Sequence, residues 1–125
     1  MKRRFISIVM ATFLTACWTN SSQNQAEKLG NREFTPESWA NASQIERGQM
    51  TSSFLRKYNP TSLHRTDVEK ILGKPTGYYY YDNNPAYFVG PDSVTSVHGR
   101  GYLFVFEANK NNGHIERVLF VPEVE

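Results

Sequence analysis

From Pro75 to the C-terminus the apolar residues follow a period of two, and this half of the chain limits what the other half can become. YYYYD at 78–82, AYFVG at 86–90, YLFVFEA at 102–108 and IERVLFV at 115–121 are runs of aromatic and β-branched residues. Asn83-Asn84-Pro85 separates the first two runs and reads as a turn. Asn112-Gly113 separates the last two, and this pair favours a hairpin turn with positive φ. The expectation is three or four antiparallel strands, the count depending on whether DNNP turns the chain or only kinks it. YLFVFE is apolar on both faces, with Tyr102, Phe104 and Phe106 against Leu103 and Val105. Such a sheet needs cover, and the preceding residues must supply it.

The cover is written in helical period. Thr35-Pro36-Glu37 supplies a hydroxyl N-cap, a proline at the first helical position and an acid in the first turn. From there Trp39, Ala42, Met50, Phe54 and Tyr58 recur at spacings built from three and four, Leu55 widens the stripe, and Asn59-Pro60 ends it. Gly48 and the polar run Asn41 to Gln44 are the places where this helix would break in two. A second helix is HRTDVEKILGKP, with Val68, Ile71 and Leu72 on one face, Asp67 as the acidic member of a cap, Gly73 as C-cap and Pro75 as stop. The predicted class is α+β: two N-terminal helices packed on one face of a three- to four-stranded antiparallel sheet, ααβββ, in two layers.

The N-terminus belongs to another category. Lys2, Arg3 and Arg4 precede the apolar run FISIVMATFL, too short for the roughly 20 residues of a membrane span. Leu14-Thr15-Ala16-Cys17 follows, holding the only cysteine in the chain. This resembles the lipobox of bacterial lipoprotein precursors. The resemblance implies a signal peptide over 1–16, cleavage before Cys17, and acylation of both its sulfur and its new amino group. A lone cysteine makes no internal disulfide, so lipidation also explains an otherwise unpaired exported thiol. Three acyl chains anchor a protein permanently. Residue 18 is Trp rather than Asp, which by analogy with enteric bacteria favours the outer membrane, on its periplasmic face. WTNSSQNQAEKLGNR, poor in large aliphatics, reads as a flexible tether, so that 17–33 is lipidated cysteine plus leash and 34–125 is one small domain. Removing the signal takes three of the 14 basic residues and leaves 11 against 12 acidic ones, a net charge of −1. With no basic cluster, the chain carries no nucleic-acid footprint.

The pieces Trp39, Arg47 and Met50 on the first helix, then LHRTDVEKILGKP, YFVGPD and LFVFEAN, together resemble the small lipoproteins of the SmpA/OmlA type. That group includes the E subunit of the outer-membrane β-barrel assembly machine and is related to β-lactamase-inhibitor-like domains. The resemblance spans about residues 34 to 121 plus the lipobox. Its most specific stretch ends in Val68, Leu72, Gly73 and Pro75. Ser62 replaces the usual Gly, and His64 stands where a Ser or Thr N-cap is expected. It implies two helices on a three-stranded antiparallel sheet and an accessory role in envelope assembly. The matching residues are caps and core, so they specify a fold without transferring a partner.

Nothing in the sequence has the form of a catalytic or metal site. His64, His98 and His114 match no ligand spacing, so no metal and no cofactor is expected. In the stretch GPDSVTSVHGRG, residues 90 to 101, Asp92, Ser93, Ser96 and His98 lie too close in sequence for a hydrolytic triad assembled from separate elements. The tyrosines are more informative: six of seven fall from Tyr78 onward. Alternation along YYYYD sends Tyr78 and Tyr80 to one side and Tyr79 and Tyr81 to the other. Tyr79 and Tyr81 are the candidate protein-binding residues, because tyrosine pairs a large apolar body with a polar tip. The functional expectation is a non-enzymatic, lipid-anchored, protein-binding lipoprotein that assists envelope assembly. The alternative is an inhibitor or scavenger domain that engages an enzyme through its aromatic sheet face.

Overall fold

Helix punctuation settles the first half of the domain. A computed structural model describes residues 21–125, with backbone alone at 82 and 83; the signal segment 1–16 and Cys17 lie outside the described residues. Four α-helices occur among the described residues: α1 Ser22–Leu29, α2 Pro36–Ala40, α3 Gln44–Lys57 and α4 Arg65–Leu72, with a 3-10 turn at Pro60–Ser62. The long amphipathic run is therefore two helices, α2 and α3, divided at Asn41–Ser43 because each half owns a cap. Thr35 Oγ1 accepts the N–H of Ser38 at 3.0 Å while Ser38 Oγ accepts that of Thr35 at 3.0 Å. Ser43 and Glu46 repeat the box for α3, and the Glu46 carboxyl is held below its usual range by the Ser43 N–H it accepts. Gly48 does not break α3; it lies buried inside it.

Helix α4 begins at His64, which caps in place of a hydroxyl residue. Its Nδ1 accepts the N–H of Thr66 at 3.2 Å, and Asp67 Oδ2 accepts the His64 N–H at 2.9 Å. Gly73, at φ +85°, ends the helix. Val68 and Leu72 are buried and Ile71 partly so.

The stretch 17–33 expected as a flexible tether is largely helix where it is described. Ser22–Leu29 is a helix, N-capped by Ser21, whose hydroxyl accepts the Asn24 N–H at 3.2 Å. Leu29 is its one large aliphatic and packs against the core; the rest of the helix docks through small and polar side chains. On α3, Ser52 is buried and meets this helix: its Oγ donates to Gly30 O at 3.0 Å and its carbonyl accepts from Gln23 Nε2 at 3.4 Å. Ala26 is fully buried, and the buried Gln25 accepts the Val124 N–H at 2.8 Å. Polar side chains thus dock this helix by hydrogen bonds where the composition suggested solvent.

The strands are β1 Gly77–Tyr79, β2 Tyr81–Val89, β3 Thr95–Ser96, β4 Gly99–Arg100, β5 Tyr102–Ala108 and β6 Ile115–Val121. They form an antiparallel four-stranded sheet in the order β1-β2-β5-β6 and a separate β3–β4 hairpin. The reversal between β1 and β2 falls at Tyr80, with Tyr79 opposite Tyr81, rather than at Asn83-Asn84-Pro85. Those three residues stay within β2. Asn84 makes this workable: its amide donates to Tyr79 O at 3.1 Å and its Oδ1 accepts the Ala108 N–H at 2.9 Å. The β5–β6 hairpin forms as expected, but its connection runs over 109–114, with Gly113 at φ +78°.

One sheet face, with Tyr87, Val89, Phe104, Phe106 and Phe120, shares a core with Phe34, Trp39, Met50, Phe54, Val68 and Leu72 from the helical half. Phe54 meets Phe104 and Phe106 edge-on at 6.2 and 5.8 Å. Trp39 Nε1–H donates to Leu72 O at 2.9 Å, and the Tyr87 hydroxyl donates to Gly73 O at 2.7 Å. Arg47 closes the other side of the indole, its guanidinium 4.8 Å from the ring centroid and its Nε–H on Trp39 O at 3.0 Å. On the opposite face Ala86, Leu103 and Val105 are fully buried beneath Tyr79, Phe88, Leu119 and Val121.

Ala26→Asp separates helix from leash. A docked α1 buries an unpaired carboxylate and loses about 3 kcal/mol or more of stability; a solvated leash would not register the change. Thermal unfolding monitored by circular dichroism reads the difference.

Candidate functional site

The sharp reversal at Tyr80 builds the most prominent exposed apolar feature. Tyr80 has φ +63°, the only non-glycine residue with positive φ among the described residues. A side chain in this left-handed region costs roughly 1–2 kcal/mol. The turn breaks the expected alternation, so adjacent rings no longer sort simply to opposite sides. Tyr78 and Tyr80 are each 76% exposed and Tyr81 51%, whereas Tyr79 is half-buried over the second apolar cluster, where burial pushes its phenol up. Of the two tyrosines singled out from sequence, Tyr81 is therefore presented and Tyr79 supports the surface from below. Tyr78 and Tyr80 were missed because alternation assumes an unbroken strand.

The β3–β4 hairpin completes the patch. Val97 at its tip is 98% exposed, and His98 lies 5.5 Å from the Tyr79 ring and 6.0 Å from the Tyr80 ring. Gly77 and Gly99 make room for the Phe88 ring, which would lie 2.9 and 2.8 Å from a Cβ at those positions. The segment 90–101 is tied back to α3: Gln44 O accepts the Gly90 N–H at 2.8 Å, and Gln44 Nε2 donates to Gly90 O at 3.0 Å. At the other end of the patch Lys110 Nζ stands 3.8 Å from the centroid of the Tyr81 ring, a cation–π contact at a polar groove that Glu107, Asn109 and Glu116 also line. The surface is aromatic, half polar at its tips, and bordered by a cation.

The remaining candidates have structural occupations. Ser96 Oγ accepts the backbone N–H of His98 at 3.1 Å, and the imidazole faces tyrosines. His64 and His114 pack edge-to-face at 5.6 Å, where the chain segments also form an isolated antiparallel bridge. Among the described residues no group of three or more His, Cys, Asp or Glu side chains is placed to hold a metal ion, and no helix is long and apolar enough to cross a membrane. No protein-family model, curated protein or solved structure matches the chain.

Tyr80→Gly removes the exposed ring and relieves the left-handed backbone together. It should leave thermal stability unchanged or raise it by up to about 1 kcal/mol, since glycine's own entropy loss offsets part of the relief. Tyr80→Val, β-branched at the same φ, should lower it.

Proposed function

We propose that the chain is a lipid-anchored, periplasm-facing lipoprotein of the outer membrane whose domain binds protein without catalysing a reaction. Its contact is the aromatic patch of Tyr78, Tyr80, Tyr81 and Val97, and its role is accessory to envelope assembly. The observation that carries the reading is the solvent exposure of Tyr78 and Tyr80 at a turn that places a tyrosine in a costly backbone region. Strain retained at an exposed aromatic tip is the pattern of a surface kept for contact. Tyrosine suits this task, because two χ angles present a large apolar area with little entropy to lose. The lipobox supplies the anchor at Cys17, and anchoring raises the effective concentration of a partner on the same membrane. In this reading α3 and α4 with β2, β5 and β6 are the ααβββ unit of the SmpA/OmlA-like lipoproteins, and α1, α2 and β1 are additions around it.

Co-purification in mild detergent tests the proposal. Tagged wild type should retain β-barrel assembly components, Cys17→Ala should retain fewer, and Tyr78→Ser with Tyr80→Gly should lose them while melting normally. Recovery of a soluble enzyme instead, undiminished in Cys17→Ala, would favour the inhibitor reading. Undiminished recovery in the tyrosine variant would remove the patch from the interaction.

A further inference from the structure

Helix α1 determines how far the folded unit stands from its anchor. It is tied to both halves of the domain: Ser22 Oγ donates to Val118 O at 2.6 Å, Gln23 Nε2 to Ser52 O at 3.4 Å, and Gln25 accepts from Val124. The fixed body therefore begins at Ser21, four residues after Cys17. Whatever conformation those residues adopt, they span at most about 14 Å, because an extended chain advances no more than about 3.6 Å per residue. A domain of this length has a radius of gyration of about 13 Å, so the connection is shorter than the domain is wide. A leash reaching to residue 33 would have set the domain several times farther from its anchor.

The start of α1 also has defined surroundings. Ser21 and Ser22 border a shallow slot of about 260 Å³ whose apolar wall is Leu55, Pro60 and Val118, with Thr61 at its rim. Val118 belongs to β6, one edge of the sheet, whereas Tyr78 belongs to β1, the opposite edge. Three strand spacings, about 14 Å, separate the two edges. We infer that the slot face lies against the phospholipid surface and that the aromatic edge points away from it. The inference rests on lipidation of Cys17. It restricts the partner to a protein standing on the same membrane, met sideways or from above at no more than one domain width.

The test uses the full lipidated protein in phosphatidylethanolamine–phosphatidylglycerol vesicles doped with headgroup spin-labelled lipid. Acylation occupies the sulfur of Cys17, so Thr61→Cys or Val97→Cys provides a single free thiol for a fluorophore at an exposed site. The Thr61 label should lose most of its emission and the Val97 label keep most of its own. A long Gly/Ser insert between Asn20 and Ser21 should equalise them. Equal quenching without the insert, in protein that floats with the vesicles, overturns the orientation and leaves the anchor standing. Protein that fails to float and has the mass of a bare thiol overturns the anchor, and the orientation with it.

Discussion

Two aromatic donors on one helix end organise this domain. The C-terminal carbonyls of a helix have no intrahelical partners, and burying them without donors costs about 1–3 kcal/mol each. In α4 the carbonyls of Leu72 and Gly73 receive the indole N–H of Trp39 and the phenol of Tyr87. One donor comes from α2 and the other from β2, so a single turn of backbone joins three elements distant in sequence. Burial pushes the Tyr87 phenol far above its ordinary range, which keeps it protonated as a donor. The eight-residue helix α4 could not persist alone; this end and the buried Val68 and Leu72 hold it.

The legible parts of the fold were those written in local chemistry. Thr35-Pro36, the helix ending at Gly73-Lys74-Pro75 and the two long strands of the last hairpin each carry their own signal. The break between α2 and α3 was legible as a polar run, and the Ser43–Glu46 box explains why it falls there. Helix α1 was illegible for a definite reason. Apart from Leu29 it carries no large aliphatic, and it docks through the small buried Ala26 and through hydrogen bonds of Ser22, Gln23 and Gln25 with Val118, Ser52 and Val124. Hydrophobic periodicity does not register such an interface. The turn at Tyr80 was hidden for the opposite reason. Asn83-Asn84-Pro85 carries every turn signal, yet Asn84 spends its side chain bridging Tyr79 and Ala108, and a tyrosine takes the left-handed position instead.

The sheet's second face shows how a chain with too few helices closes a two-sided sheet. Tyr79, Phe88, Leu119 and Val121 lie over Ala86, Leu103 and Val105, and glycines at 77 and 99 admit the Phe88 ring. Of the aromatic residues in YYYYD and YLFVFE, Tyr79 is absorbed there, whereas Tyr102, Phe104 and Phe106 join the helix-facing core. The exposed rings of YYYYD are therefore Tyr78, Tyr80 and Tyr81 at the β1–β2 reversal rather than a whole face. For the candidate site the residue class and Tyr81 were legible and Tyr78 and Tyr80 were not, because one positive φ reassigns which tyrosines face water.

Strand β1 is three residues long, and its register shifts between Gly77 and Tyr79. An outer strand so brief and irregular offers a neighbouring chain almost no run of free amides and carbonyls to pair with. Self-association by edge-to-edge growth is blocked at the corner where the molecule is stickiest. Recognition at that corner falls to rings and hydroxyls, because the three exposed tyrosines there come with little backbone to pair.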